Sequence, residues 1–156
     1  MNRLENIIGD LCKVILPIQE ESYIGNTDSS IAICTLSSMN LLKKISNSEL
    51  LNYVSIVGRL LSENKGIDSM IKYLNRNKKI KTIIVCGKEV CGHKAGHSLF
   101  ELHKNGIDNY GRIINSVSPN PFLTVNRSEI NYFQNEINLI NLIDETNLVT
   151  IKNFII

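Results

Sequence analysis

Short β-branched runs that alternate with longer helical segments constrain the fold of this sequence more than any other feature. Such runs occupy residues 30–36, 53–58 and 80–86. The segments between them, residues 39–51 and 66–73, carry apolar residues that fall on one helical face. Strands that alternate with helices form βαβ units. The sequence therefore predicts an α/β fold, a Rossmann-like open sheet that is mostly parallel and has helices on both faces.

The second half of the chain continues this alternation. Residues 94–104 suit a helix, and residues 112–117 are predicted as a further strand. Residues 118–121 contain two prolines and are predicted as a rigid loop. Residues 128–142 are predicted as a final amphipathic helix, with Ser128 as its N-terminal cap.

Length and composition limit the classes of protein to consider. The 156 residues fit one α/β domain that spans residues 1–156. A net charge of +2 gives no electrostatic argument for nucleic acid. No apolar run reaches the roughly 18 to 20 residues that span a bilayer, and no signal peptide is apparent, so we expect a cytoplasmic protein. Residues 4–16 have apolar positions at mixed spacing, and Pro17 ends any helix there.

The residues that follow the strands are the candidates for a functional site. In open α/β sheets, ligands bind beyond the carboxyl ends of the strands. This rule points to the chain after Gly58, after Cys86 and after Val117. Four side chains with ligand chemistry lie within twelve positions of one another: Cys86, Cys91, His93 and His97.

Several chemistries fit this loop. Zinc takes thiolate and imidazole ligands, and His93 and His97 have the spacing that places two rings on one helix face. Cys91 with either histidine would form a nucleophile–base pair. The glycines are compatible with a phosphate-binding or nucleotide-binding loop, although neither phosphate-loop pattern is present. They would also serve only to turn the chain. Gly92 and Gly96 flank His93 and would let a large flat macrocycle approach the backbone. The residues alone predict a ligand loop and leave its ligand open.

One motif in this loop is specific to a known family. Residues 84–93 read Ile-Val-Cys-Gly-Lys-Glu-Val-Cys-Gly-His and are followed by Gly96. Through them the chain resembles the family of the corrinoid-carrying A subunit of tetrahydromethanopterin S-methyltransferase. The same register continues through shorter matches at residues 62–67, 102–108, 111–114, 133–134 and 142–144 and at Pro121. Weaker similarity extends upstream through residues 23–25 and 31–36.

The resemblance implies a domain that holds a cobamide at the ends of its strands, either 5-hydroxybenzimidazolylcobamide or a cobalamin-like corrinoid. The axial histidine of the family falls on His93, which would bind the cobalt. Glu89, four residues earlier, is a candidate to orient the imidazole ring. The other residues predicted to contact the cofactor are Gly58, Glu63, Asn64, Gly87, Gly92, Gly96, Pro119 and Pro121. We expect no catalytic residue on this chain beyond the cobalt ligand.

By the same resemblance, the chain would carry a methyl group from methyl-tetrahydromethanopterin, or a related donor, to a thiol such as coenzyme M. Partner methyltransferase subunits would supply the active sites. Residues 59–61 replace the Pro-Cys-Lys of the family, and Asn115-Ser116 replace its Gly-Ala. The family's C-terminal membrane helix has no counterpart here, so a soluble form is expected. The alternative is a degenerate member that binds zinc, a nucleotide or a protein partner without a corrinoid.

Overall fold

The computed structural model describes residues 21–156, so the prediction for residues 4–16 and Pro17 lies outside the described residues. A five-stranded sheet forms its centre, with strands β1 (Ser22–Ile24), β2 (Ile31–Cys34), β3 (Ile56–Gly58), β4 (Thr82–Gly87) and β5 (Asn138–Ile143). The helices are α1 (Met39–Ser46), α2 (Lys65–Arg76), α3 (Ala95–Asn105), α4 (Arg127–Glu136) and α5 (Leu148–Lys152). A 3₁₀ helix covers Glu49–Tyr53.

The strands are arranged in the order β1-β3-β2-β4-β5. Strands β3, β2, β4 and β5 run parallel, and β1 pairs antiparallel with β3 at one edge. This arrangement confirms the prediction of a mostly parallel α/β sheet.

Side chains of the interior strand β4 alternate between two apolar clusters on opposite faces of the sheet. Ile83 and Val85 pack with α2, α3 and α4, whereas Ile84 and Cys86 pack with α1 and α5. Both faces are covered, which explains why β4 reads as a continuous apolar run rather than an alternating one.

The predicted strand at residues 112–117 is wrong. This stretch makes only two isolated bridges, Ile107 with Ile113 and Arg112 with Phe122. Gly111 has a φ of +82° and Asn115 a φ of +63°, values that no strand residue adopts. The backbone therefore turns before the run and again within it, and the run is a loop in which Ile113 is buried while Ile114 and Val117 are exposed.

The predicted helix at residues 128–142 is wrong in its second half. Helix α4 ends at Glu136, and the six residues from Asn138 form β5 beside β4. The cap is Asn126, whose side chain accepts a hydrogen bond from the Glu129 N–H, while the Glu129 carboxylate accepts one from the Asn126 N–H. Ser128 instead donates its hydroxyl hydrogen to the Asn126 side chain.

Three short elements were not expected from the sequence: β1, the 3₁₀ helix and α5. The 3₁₀ helix interrupts the segment predicted as one helix, because the Ser48 side chain accepts a hydrogen bond from Leu50 and starts a new turn. Across residues 21–156, none of the helices has the length and apolar character needed to cross a membrane.

Candidate functional site

Three loops meet at the carboxyl ends of β3, β2 and β4. The chain leaves β2 toward β3 on one side and later reaches β4 on the other, which makes the β2–β4 boundary the switch point where such sheets bind ligands. The Ser37 hydroxyl after β2 donates to the Lys88 carbonyl after β4 at 2.7 Å. The Arg59 guanidinium after β3 donates to the Ser37 carbonyl at 3.3 Å. All three loops are therefore joined by hydrogen bonds.

His93 lies in the turn between β4 and α3, and its ring is held by Glu63 from the loop after β3. The distance from His93 Nδ1 to Glu63 Oε2 is 2.8 Å. Glu63 is only 1% exposed, and its other carboxylate oxygen accepts a hydrogen bond from the Asn120 N–H at 2.9 Å. Both oxygens of this buried acid therefore have partners.

The charge of Glu63 determines which ring nitrogen of His93 carries hydrogen. Burial raises the pKa of Glu63, but hydrogen bonds from His93 and from backbone N–H groups outweigh burial and leave the pKa below its ordinary value. An ionised carboxylate can only accept, so the hydrogen is on Nδ1. In the part of the chain that the structure describes, Nε2 has no hydrogen-bond partner, and the side chain is 21% exposed. This nitrogen is available as a ligand.

Glu89 has a different position from the one expected, because its carboxylate turns toward the start of α3 and not toward His93. It accepts hydrogen bonds from the N–H groups of Gly96 and His97 at 3.0 and 2.8 Å. A third bond comes from the N–H of Val90. The orienting position beside His93 belongs to Glu63 instead. Because Glu89 occupies the helix N-terminus where a phosphate would bind, the structure offers no support for the nucleotide alternative at this loop.

The two glycines beside His93 have different surroundings. Gly92 has a φ of +78°, and a Cβ there would meet no atom within 4 Å, so the space on that side is open. A Cβ on Gly96 would lie 2.8 Å from the Glu89 carboxylate and 3.0 Å from Leu36 and Ile143. Gly96 therefore gives Glu89 its access to the helix, whereas Gly92 leaves one side of the His93 turn clear.

The other cysteines and histidines of the predicted loop do not assemble around His93. His97 Nε2 accepts a hydrogen bond from the Val117 N–H at 3.3 Å. Cys86 is fully buried, and burial raises the pKa of its thiol, whereas Cys91 is exposed. Residues 21–156 contain no group of three or more His, Cys, Asp or Glu side chains that would hold a metal ion. Neither the zinc site nor the cysteine–histidine pair finds support in this geometry.

The other predicted site residues shape the loops. The Asn64 side chain accepts from the Lys65 N–H and caps α2, and the Gly58 carbonyl accepts from the Thr35 N–H. Gly87 has a φ of +79°, and a Cβ there would clash with the Thr35 carbonyl oxygen. Pro119 and Pro121 enclose Asn120, which donates to Glu63.

The two departures from the family pattern lie in the loop after β3 and in the loop after α3. Asn115 is exposed, and the buried Ser116 hydroxyl lies 2.8 Å from that of Ser98. Within the described residues, the Arg59 Nε is buried without a partner.

Comparison with known proteins identifies relatives of this chain. The family model for the A subunit of tetrahydromethanopterin S-methyltransferase matches residues 14–156. A protein of Methanosarcina barkeri, provisionally named as the A subunit of the methyltransferase Mtx, is 38% identical over 142 residues, which cover 89% of this chain and 68% of the relative. One of two tetrahydromethanopterin S-methyltransferase A subunits of Methanothermobacter marburgensis is 34% identical over 139 residues, covering 87% and 56%. The chain thus spans between about half and two thirds of the length of these relatives.

Proposed function

Because the chain belongs to the family of the tetrahydromethanopterin S-methyltransferase A subunit, we propose that it is a cobamide-binding methyl carrier in which His93 would bind the cobalt. The observation that supports this proposal most directly is the Nε2 of His93, which has no partner among the described residues, in a ring whose Nδ1 is bound to a buried carboxylate. Histidines that bind metals commonly donate their other ring hydrogen to a carboxylate in this way.

The surroundings of His93 fit a large flat cofactor. The ring is partly exposed, and the neighbouring Gly92 faces open space where a side chain would otherwise stand. The loop after α3 carries exposed apolar side chains that the edge of a corrin would contact, namely Ile114, Val117 and Phe122. The cofactor would be 5-hydroxybenzimidazolylcobamide or a cobalamin-like corrinoid.

Bound cobamide would supply a cobalt centre that accepts and releases a methyl group. Glu63 keeps the hydrogen of His93 on Nδ1, so the lone pair of Nε2 would be available to hold the metal. The Asn120 N–H holds the second oxygen of Glu63, which fixes the carboxylate and with it the plane of the ring. This chain's contribution is therefore to position one ligand and keep it in the binding tautomer.

The family name supports a proposal for the donor and acceptor of the methyl group. We infer methyl-tetrahydromethanopterin, or a related methyl donor, and a thiol such as coenzyme M. The family forms one subunit of a multi-subunit methyltransferase, so partner subunits would carry the two active sites. The relative of Methanosarcina barkeri is named only as a methyltransferase subunit, and its name states no donor or acceptor. A carrier of the same kind that serves a different donor or acceptor is therefore the variant of this proposal.

Reconstitution with aquacobalamin tests the ligand assignment. We expect the wild-type protein and His97→Ala to shift the visible spectrum to that of a histidine-coordinated corrinoid. His93→Ala should bind with at least about tenfold lower affinity and without that shift, since it removes the only proposed protein ligand. His97→Ala is the matched control, because its Nε2 already accepts a backbone hydrogen bond.

Three results would count against the proposal. Wild-type protein that takes up no corrinoid would refute the carrier function. Equal spectra for wild type and His93→Ala would retain the corrinoid and remove the ligand assignment. Stoichiometric zinc in the purified protein would favour the alternative of a degenerate member with another ligand.

A further inference from the structure

Three buried serine hydroxyls form a cluster between α3 and the loop that follows it. Ser98, Ser116 and Ser118 are 0%, 4% and 1% exposed. The Ser98 hydroxyl lies 2.8 Å from that of Ser116 and 2.6 Å from that of Ser118. Buried hydroxyls are costly unless they are paired, so a cluster of three in an apolar interior requires a reason.

The cluster is hydrogen-bonded to Lys94, the residue that follows His93. The Ser118 hydroxyl donates to the Lys94 carbonyl at 3.2 Å, and the Ser98 N–H donates to the same oxygen at 3.0 Å. Lys94 has a φ of +48°, in the left-handed region, which is unfavourable for a non-glycine residue. Two hydrogen bonds on one carbonyl hold the Lys94 backbone in this conformation and so determine where the preceding residue points.

The same loop also contacts Glu63, the carboxylate that is bound to the His93 ring. Asn120, two residues beyond Ser118, donates its N–H to Glu63, the partner of His93. The Val117 N–H donates to His97 Nε2 on α3. Residues 116–120 therefore contact both determinants of the ring position, namely the backbone after His93 and the carboxylate bound to Nδ1.

We propose that Ser118, supported by Ser98 and Ser116, is a positioning residue that sets the orientation of the His93 imidazole. The role of the ring as a cobalt ligand rests on the function proposed above, but the positioning itself does not. The side chain of Arg112 braces the loop from outside, since it donates to the Ser116 carbonyl at 2.9 Å. Loss of the Ser118 hydroxyl should release Lys94 and loosen the bond between His93 and Glu63.

The test compares Ser118→Ala and Ser98→Ala with the control Ser55→Ala, which removes a buried serine at the opposite end of the sheet. The first measurement is the ring-hydrogen NMR resonance of His93 Nδ1 in protein without a cofactor. We expect a protected, downfield resonance in wild type and in Ser55→Ala, and its loss to exchange with water in both cluster variants.

The second measurement is the affinity for aquacobalamin. Both cluster variants should bind about tenfold more weakly, with a smaller fraction in the histidine-coordinated form, as expected when an outer partner of a metal ligand is lost. Ser98→Ala decides the matter if Ser118→Ala fails to fold, since alanine suits the helix.

The outcomes are separable. An unchanged Nδ1 resonance in folded cluster variants would overturn the positioning role. If wild-type protein binds no cobalamin but the resonance still disappears in the variants, the positioning role stands and the proposed function fails.

Discussion

At the scale of single residues, the two nitrogens of His93 have different environments. Nδ1 is bound to a carboxylate that is itself buried and doubly hydrogen-bonded, whereas Nε2 has no hydrogen-bond partner among the described residues. A bond between imidazole and carboxylate gains strength in a low-dielectric environment. The pair is therefore a stabilising contact of the fold as well as the basis of the proposed ligand.

Glu63 should make the stability of the protein without a cofactor depend on pH in the acid range. Its pKa in the folded state lies below the ordinary value of 4.5, so its contribution is complete above that pH and is lost as the pH falls through the lower folded value. Glu63→Gln should lower the free energy of unfolding at pH 7 by about 1–3 kcal/mol and flatten its decline below pH 4.5.

Urea unfolding at several pH values measures this effect. Glu49→Gln, at an exposed acid that starts the 3₁₀ helix, is the control. If the free energy of unfolding falls with pH in Glu63→Gln as it does in wild type, Glu63 is not the source of that decline.

The sequence predicts His93 and Glu63 as site residues but gives Glu89, not Glu63, the contact with the ring. Glu89 is four residues from His93, and proximity along the chain favours it. Glu63 is thirty residues away and follows β3, which is separated from β4 by β2. That contact depends on the order of the strands, which local patterns do not contain. The rule that the carboxyl ends of parallel strands gather at one edge is the signal that brings the two residues together.

At the scale of elements, the start of α3 is the junction on which the site is built. The carboxylate of Glu89 satisfies N–H groups of the first turn that have no partner within the helix. A negative charge at this end is also favoured by the helix dipole. Gly96 is required here because any larger residue would occupy the space of that carboxylate.

Gly96→Ala should therefore destabilise the protein, although glycine to alanine within a helix usually stabilises by about 1 kcal/mol. We expect a loss of about 1–3 kcal/mol, because the added methyl group would overlap Glu89 and press on Leu36 and Ile143. Thermal or urea unfolding measures it. Asn131→Ala, at an exposed position of α4, shows the ordinary effect of helix propensity. If Gly96→Ala instead stabilised the protein, the Glu89 side chain would have to move away from the added methyl group at little cost.

Elements with a single strong pattern are predictable, and those decided by distant pairing are not. β4 is recognised because a buried parallel strand reads as an unbroken apolar run. β5 has the sequence Asn-Leu-Ile-Asn-Leu-Ile, whose apolar residues also suit a helix continuing from α4. Its six-residue pairing with β4 decides the outcome, and β4 lies more than fifty residues away in the chain.

At the scale of the whole molecule, the long connection between α3 and α4 is held against α2 by one buried acid. The Asp68 carboxylate accepts hydrogen bonds from the N–H groups of Thr124 and Val125 and from the Thr124 hydroxyl, at 2.7 to 3.2 Å. The same connection carries Ser118 and Asn120 to the site. The packing of α2 and the geometry around His93 are therefore coupled, because the same connection contacts both.

Asp68→Ala should reduce the free energy of unfolding by about 2–4 kcal/mol, because it leaves N–H groups without acceptors in a largely buried place. Thr124→Val removes only the hydroxyl bond and should cost about 1 kcal/mol. Urea unfolding gives both values, and hydrogen exchange should show faster exchange at Thr124 and Val125 in Asp68→Ala. Equal stability of the two variants would mean that the backbone bonds contribute little.

The capped start of α3 also bears on how quickly a ligand can bind. Glu89 supplies from within the chain the negative charge that many loops of this kind acquire only from a bound anion. The His93 turn therefore has its conformation before any cofactor arrives, and this turn does not have to order itself during association. We expect encounter between the two molecules, rather than rearrangement of the protein, to set the rate of complex formation.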